Sequence, residues 1–147
     1  MKPTPPGPEH FPFWTEEKLR IADTDLNGHI NNGAYGAFFE AGRGELLTEI
    51  AGPPQTRMVA MALARVEIDY LRELHYPGRV RIGTCVARIG GSSFSLQQAL
   101  FAGEACHAAA LSVMVVLDRE TRRATAIPPA LRVALERLTG GHARPEA

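Results

Sequence analysis

Ile21-Ala-Asp-Thr-Asp-Leu-Asn-Gly-His-Ile-Asn-Asn-Gly-Ala-Tyr-Gly-Ala-Phe-Phe-Glu-Ala-Gly-Arg43 is the stretch on which the fold turns. Its opening part gathers Asp23, Asp25, Asn27 and Gly28, turn-forming residues that interrupt any regular element. Asn31 or Asn32 then offers a side-chain oxygen to cap a helix. From there Tyr35, Phe38, Phe39, Gly42, Leu46 and Ile50 recur on one helical stripe, and Gly52-Pro53-Pro54 ends the run. The helix is rich in small residues: Gly33, Ala34, Gly36, Ala37, Ala41, Gly42 and Gly44. A glycine inside a helix costs about 1 kcal/mol relative to alanine. Close approach of another backbone is the expected compensation.

Outward from this stretch the pattern is that of strands. Residues 14–22 alternate Lys18 and Arg20 against Leu19 and Ile21, which predicts a half-buried strand before the loop. Beyond the helix, strand patterns cover 58–71, 79–89, 93–101 and 105–117. In the second of these, Val80, Ile82, Thr84 and Val86 alternate with Arg79, Arg81, Gly83 and Cys85. The turns Tyr76-Pro-Gly78, Gly90-Gly91 and Gly103-Glu104 are too short for a crossover helix, so consecutive strands form antiparallel hairpins. A last helix is expected over 128–138, with proline in its first turn. The order predicts an α+β domain in which a long antiparallel sheet wraps one apolar helix.

The ends read differently. Five of the eleven prolines fall in the first twelve residues, which predicts an extended arm over 1–12 rather than a packed element. Residues 139–147, with Gly140, Gly141 and Pro145, read as a frayed, flexible tail. The domain proper is expected to span 13–138.

The chain has 147 residues, 45% hydrophobic and 22% charged, with 16 basic and 16 acidic side chains. A chain of this size buries about two-thirds of its unfolded surface and needs no metal or disulfide to fold. Zero net charge argues against nucleic acid as a partner. Of the basic residues, 14 are Arg and 2 are Lys. That bias fits either anion recognition or a GC-rich genome. Cys85 and Cys106 lack CxxC spacing, so a zinc site is not expected, and both read as free, packed thiols in a reducing compartment. The N-terminus lacks the apolar core of a signal peptide, and the longest nearly apolar run, 108–117, falls well short of the roughly 20 residues that span a bilayer. A cytoplasmic protein with no membrane partner is the expectation.

The 21–43 stretch resembles the signature of hotdog-fold acyl-CoA thioesterases, the group of 4-hydroxybenzoyl-CoA thioesterase. Asp23-Thr-Asp25, Gly28-His-Ile-Asn-Asn32, Tyr35 and Phe39-Glu-Ala-Gly-Arg43 carry the likeness. Asp69-Tyr-Leu-Arg72, Gly91-Ser-Ser93 and Ile127-Pro128 also fit, so the likeness extends over residues 13–138. It implies an antiparallel sheet wrapped around a long central helix. It also implies hydrolysis of an acyl-CoA or acyl-carrier thioester to free acid and thiol. No cofactor is implied, coenzyme A being part of the substrate, and no metal. The working unit implied is a homodimer with sites at the interface, or a homotetramer built from it.

Thioester hydrolysis needs an agent that attacks the carbonyl carbon or directs water onto it, and donors for the oxyanion that develops. Asp25, in a loop before a helix, supplies a carboxylate that can be nucleophile or general base. The helix start near 31–33 supplies unpaired N–H groups and the positive end of the dipole. By resemblance Asp25, not Asp23, is the catalytic carboxylate, and the Asn32 backbone N–H polarises the carbonyl. Gly28 provides either a backbone conformation or room for ligand. His29 either orients Asp25 or water, or holds the loop through a hydrogen bond. Asn31 and Asn32 cap the helix, contact substrate, or both, and Gly33 is expected beside the substrate. Tyr35 either packs between helix and sheet or lines the acyl pocket. Glu40 lies about 12 Å along the axis from Asn32, which favours pairing with Arg43 over a second catalytic carboxylate.

Similarity places Arg88-Ile-Gly-Gly-Ser-Ser-Phe94 on the pantetheine channel, with Ser92 or Ser93 bonding the ligand; a plain β-turn explains its glycines equally well. Arg88, Arg119, Arg122 and Arg123 are candidates for the nucleotide phosphates. Two other readings stand beside hydrolysis. Hotdog enoyl-CoA hydratases use Asp-x-Asn-Pro-x-His, whereas Asp25-Leu-Asn-Gly-His29 has its His one residue early and no Pro. A non-catalytic acyl-CoA-binding module needs no carboxylate at all. The acyl group accepted depends on which of Phe38, Phe39, Met58, Met61, Tyr70 and Phe94 line the pocket.

Overall fold

The computed structural model describes residues 4–140. Two glycine-bearing turns fold the chain back on itself: Gly90-Gly91 between β3 (Arg79–Ile89) and β4 (Ser93–Ala102), and Gly103, at φ +62°, between β4 and β5 (Ala105–Leu117). β1 (Phe13–Lys18) pairs with the outside of β3, and β2 (Ala60–Tyr70) with the outside of β5. The sheet order is β1-β3-β4-β5-β2 with every neighbour antiparallel. Across it lies α1 (Asn32–Ala51), followed at the end of the fold by the short α2 (Pro129–Glu136). This is the hotdog fold that the motif led us to expect.

The helix lies closest to the sheet at Gly42. A Cβ there would stand 2.8 Å from Gln98 Nε2 and 3.0 Å from Ile82 Cγ2. The expected close approach is therefore real at this position, whereas a Cβ at Gly36 or Gly44 would meet nothing within 4 Å. Two apolar clusters share the length of α1. Ile30, Tyr35, Phe38 and Phe39 pack with Leu74, Val80, Ile82 and Leu100 at its N-terminal end. Leu46 and Leu47 pack with Val86, Phe94, Leu96, Met114, Ile127 and Leu131 at the other. At 1.5 Å per residue the helix separates these ends by about 30 Å.

Four expectations are corrected. β1 stops at Lys18, and the 3-10 turn Ile21–Asp23 leaves Ile21 70% exposed. There the Asp23 carboxylate accepts the Arg20 N–H at 2.9 Å, so local side-chain chemistry wins over strand pairing. The described part of the N-terminal arm, 4–12, is packed at Phe11, which is buried on the outer face of the sheet, edge-on to Trp14 and Phe101, over Gly83, where a Cβ would come within 2.6 Å of its ring; residues 1–3 lie outside the described residues. Pro8–His10 form a 3-10 turn just before Phe11, whose ring finds a glycine floor. At the other end Thr139 bridges to Val86 and the Gly140 N–H donates to the Val86 carbonyl at 3.3 Å, so the first two tail residues are tied down. The rest of the expected tail, 141–147, lies outside the described residues. α2 is also shorter than expected, ending at Glu136.

Gly42→Ala forces Gln98 and Ile82 aside. We expect a loss of about 1–3 kcal/mol, as for other overpacked cores, read as a lower urea midpoint with unchanged m.

Candidate active site

The loop before α1 is a small closed structure. Thr24 and Ile30 form an antiparallel bridge, the Asp25 N–H donates to the His29 carbonyl at 3.1 Å, and the Gly28 N–H donates to the Asp25 carbonyl at 3.0 Å. Gly28 closes that turn at φ +80°, a backbone conformation that favours glycine, and a Cβ there would meet open space. The Asp25 carboxylate, half-buried, accepts the Asn27 N–H at 2.9 Å. Its other oxygen takes no hydrogen bond among the described residues.

Asn31 is the helix cap: its side-chain oxygen accepts the Gly33 N–H at 2.7 Å, and its carbonyl accepts the Ala34 N–H at 2.9 Å. Capping thus consumes the Gly33 donor. The Asn32 N–H is left uncommitted among the described residues at the positive end of the helix dipole. The Tyr70 hydroxyl, from the end of β2, donates to the Asn32 carbonyl at 3.4 Å, and its ring stands edge-on to Tyr35 at 5.2 Å. Tyr35 is buried and donates to the Arg72 carbonyl at 3.2 Å, and burial raises its phenol above the ordinary value. Its packing role is therefore evident, and it also borders a cavity of about 170 Å³ with Asn32, Tyr70 and Glu73.

His29 has a partner that the linear sequence did not suggest. Its Nε2 stands 3.8 Å from the Glu73 carboxylate, which also lies 3.7 Å from His75, and its Nδ1 is 3.4 Å from the Ile30 carbonyl. These contacts fit a ring that steadies the loop. Glu73 was missed because it sits in the separate connection after β2, which the Ile30 N–H reaches by donating to the Leu74 carbonyl at 2.8 Å. Glu40 and Arg43 do not form the expected ion pair. Arg43 turns under the helix to Gln98 Oε1 at 3.4 Å and is buried, which lowers its pKa, while Glu40 stays exposed.

Other candidates lie elsewhere. Arg88, Ser92 and Ser93 belong to the β3–β4 hairpin, whose Ile89 and Phe94 pack with Leu46 and Leu47 at the far end of α1. Arg119 lies at that end too, and its Nη1 donates to the Pro54 and Arg57 carbonyls at 2.8 Å each, making it a clamp between loops. Arg122, at φ +61°, and Arg123 follow in the same turn. One chain therefore does not bring these residues to Asp25. Cys85 is buried, which pushes its thiol up to about 11, and Cys106 is shifted the same way; both are free. No group of three metal-ligating side chains occurs among the described residues.

Two outcomes follow from these contacts. Asn31→Ala removes the cap and should cost about 1 kcal/mol in chemical denaturation. Alkylation at pH 8, well below the Cys85 value of about 11, should leave that thiol unmodified until denaturant unfolds the chain, as peptide mapping would show.

The geometry has counterparts. A protein of Pseudomonas aeruginosa, PA5185, is 33% identical, with 92% of this chain and 97% of that one covered and a TM-score of 0.85. A predicted thioesterase from Bacillus stearothermophilus is 30% identical, covering 86% of this chain and 96% of its own, at a TM-score of 0.80. A thioesterase from Thermus thermophilus, in complex with coenzyme A and zinc, is 28% identical over 88% of this chain and 96% of that one, also at 0.80. The family model of the thioesterase-like superfamily matches residues 19–135, from the residue after β1 to the next-to-last residue of α2. With the Asp25 loop, α1 and four of the five strands inside that match, the chain belongs to the thioesterase-like superfamily.

Proposed function

We propose that this protein hydrolyses an acyl-CoA thioester, with Asp25 as nucleophile or general base and the Asn32 N–H as oxyanion donor. The observation that carries the reading is their juxtaposition: a carboxylate with a free oxygen in the loop that leads directly into a helix start whose first N–H is uncommitted. As base, Asp25 takes a proton from water as the water attacks the carbonyl carbon. As nucleophile, it forms a mixed anhydride that water then opens. In either route the carbonyl oxygen becomes anionic beside the helix N-terminus, and the tetrahedral species collapses to expel the thiolate of coenzyme A. His29 and Asn31 hold the loop and the helix start in place for this step.

Coenzyme A as the thiol component is supported by the Thermus thermophilus thioesterase, which is complexed with it. A carrier-protein thioester is the alternative donor. We assign the pantetheine and phosphate contacts to Ser92, Ser93, Arg88, Arg122 and Arg123, and withdraw Arg119 because carbonyls occupy its Nη1. Those residues lie at the opposite end of α1 from Asp25, so the working unit in this reading is a homodimer. Antiparallel pairing of two copies brings that end of one subunit to the Asp25 end of the other.

Asp25→Asn and Asp25→Ala should lower thiol release from the best acyl-CoA by about 10²–10⁴-fold, the usual range for a lost acid–base group, with no fall in melting temperature. An unchanged rate in either variant rejects the assignment. Loss of enoyl absorbance without thiol release marks a hydratase instead. Stabilisation by acyl-CoAs with no product at all marks a binding module.

A further inference from the structure

One row of cross-strand partners runs Trp14, Gly83, Ala99, Ala109, Asp69, from β1 to β2. Thr84 and Gln98, next along their strands, meet the helix, so this row lies on the opposite, outer face of the sheet. Its three middle residues carry at most a methyl group, which makes a trough between an indole and a carboxylate. The N-terminal arm lies across it. Phe11 covers Gly83, the His10 ring bonds Gln97 Oε1 at 2.9 Å, and Pro5 and Pro6 border a cavity of about 230 Å³ beside Ala109, Leu111 and Asp69. From β3 to β2 is roughly 14 Å at the usual strand spacing, within reach of the chain from Phe11 back to Pro5. The other end of the chain joins it: a Cβ at Gly140 would press on both Cys85 Sγ and His10 Nε2. Cys85 is 0% exposed beneath this junction, in one apolar cluster with Phe11, Ala99 and Phe101.

Were the arm lifted, the charges at the two ends of the trough would fit a second copy of the same face. The Arg81 guanidinium stands 4.8 Å from the Trp14 ring centroid, and neither Arg81 nor Asp69 has an ion pair among the described residues. Because β4 is the middle strand, a two-fold axis along the strands through Ala99 lays β1 of one copy over β2 of the other. Such an axis keeps each residue at its own height, so Trp14 and its Arg81 guanidinium arrive over the partner's Asp69, once on each side. An axis across the strands instead sets the two guanidinium groups against each other. Sheets packed face to face stand about 10 Å apart, a space that Phe11 and the prolines now occupy.

We propose that the N-terminal arm is a strap seated in the trough that a second copy would otherwise fill, so that association through the outer face is closed while Phe11 is in place and opens when it lifts. This rests neither on the thioesterase reading nor on pairing at any other surface. The strap is held by one aromatic ring on a glycine and one side-chain hydrogen bond, few enough ties for single substitutions to release it.

Two variants of the full chain lift the strap from opposite sides. Gly83→Ala puts a methyl group where the Phe11 ring lies, and Phe11→Asp removes the ring. In both, the molar mass by light scattering should be twice that of the unaltered chain. Alkylation of Cys85 at pH 8, followed by peptide mapping, should be at least tenfold faster than in the unaltered chain. A cooperative thermal transition in the same samples separates release of the strap from unfolding. Charge then tests the geometry. Arg81→Asp added to Phe11→Asp should return the mass to that of the unaltered chain, and Asp69→Arg added to that pair should double it again. An unchanged mass in both strap variants, or a doubled mass that survives Arg81→Asp, overturns the pairing with a second copy. A Cys85 thiol that stays as slow as in the unaltered chain in both variants overturns the strap itself.

Discussion

The close contact between helix and sheet at Gly42 sets the frame for everything else in the molecule. Without a side chain there, α1 settles low enough over β3 and β4 for Gln98 to donate to the Phe39 carbonyl at 3.0 Å and to Thr84 Oγ1 at 3.1 Å. A helix carbonyl in mid-run normally serves its own ladder, so this bond from the sheet is an added tie that fixes the position of α1 along its axis. Arg43 completes the contact by reaching Gln98 from the next residue. A buried guanidinium on a neutral acceptor is a costly group, and its burial shows how closely the helix is held at this point.

Because the helix cannot slide, its first turn arrives at a defined place. Asn31 caps it, Tyr70 reaches the Asn32 carbonyl, and the Ile30 N–H is tied to Leu74. The Asp25 loop is therefore held on one side by its own turn and on the other by the connection after β2, with Glu73 beside His29. Carboxylate and helix-start donor are positioned mostly by backbone hydrogen bonds. Such bonds fix a loop geometry while leaving side chains uncommitted.

The same rigid helix also keeps two groups of candidate residues apart. Its two ends belong to different clusters, one beside Asp25 and the other beside the β3–β4 hairpin. Arg88, Ser92 and Ser93 belong to the end that lacks Asp25. The outer face of the sheet, meanwhile, is partly covered by Phe11 from the N-terminal arm, where it packs against Trp14 and Phe101. This leaves β2 as the long unpaired edge, while the arm occupies part of the broad face.

Local patterns in the sequence determined the elements and the loop: the alternation in β3, the Asn cap, the glycine stop after α1, and the Asp25–Gly28 turn all depend on residues close together in the chain. The family signature, being contiguous, was legible in the same way. Where contacts are made by residues far apart, the linear pattern was silent or misleading. It offered Arg43 to Glu40 one turn away, but the tertiary fold turned Arg43 inward to Gln98; it left the arm loose, but Gly83 made a seat for Phe11; it set Ile21 in a strand, but a side-chain turn released it. His29 acquired Glu73 only when the connection after β2 closed over the loop. The separation of Asp25 from Ser92, Ser93 and Arg88 by the length of α1 was likewise invisible in the sequence, because only the rigid axial placement of the helix decides which end of the sheet each residue occupies.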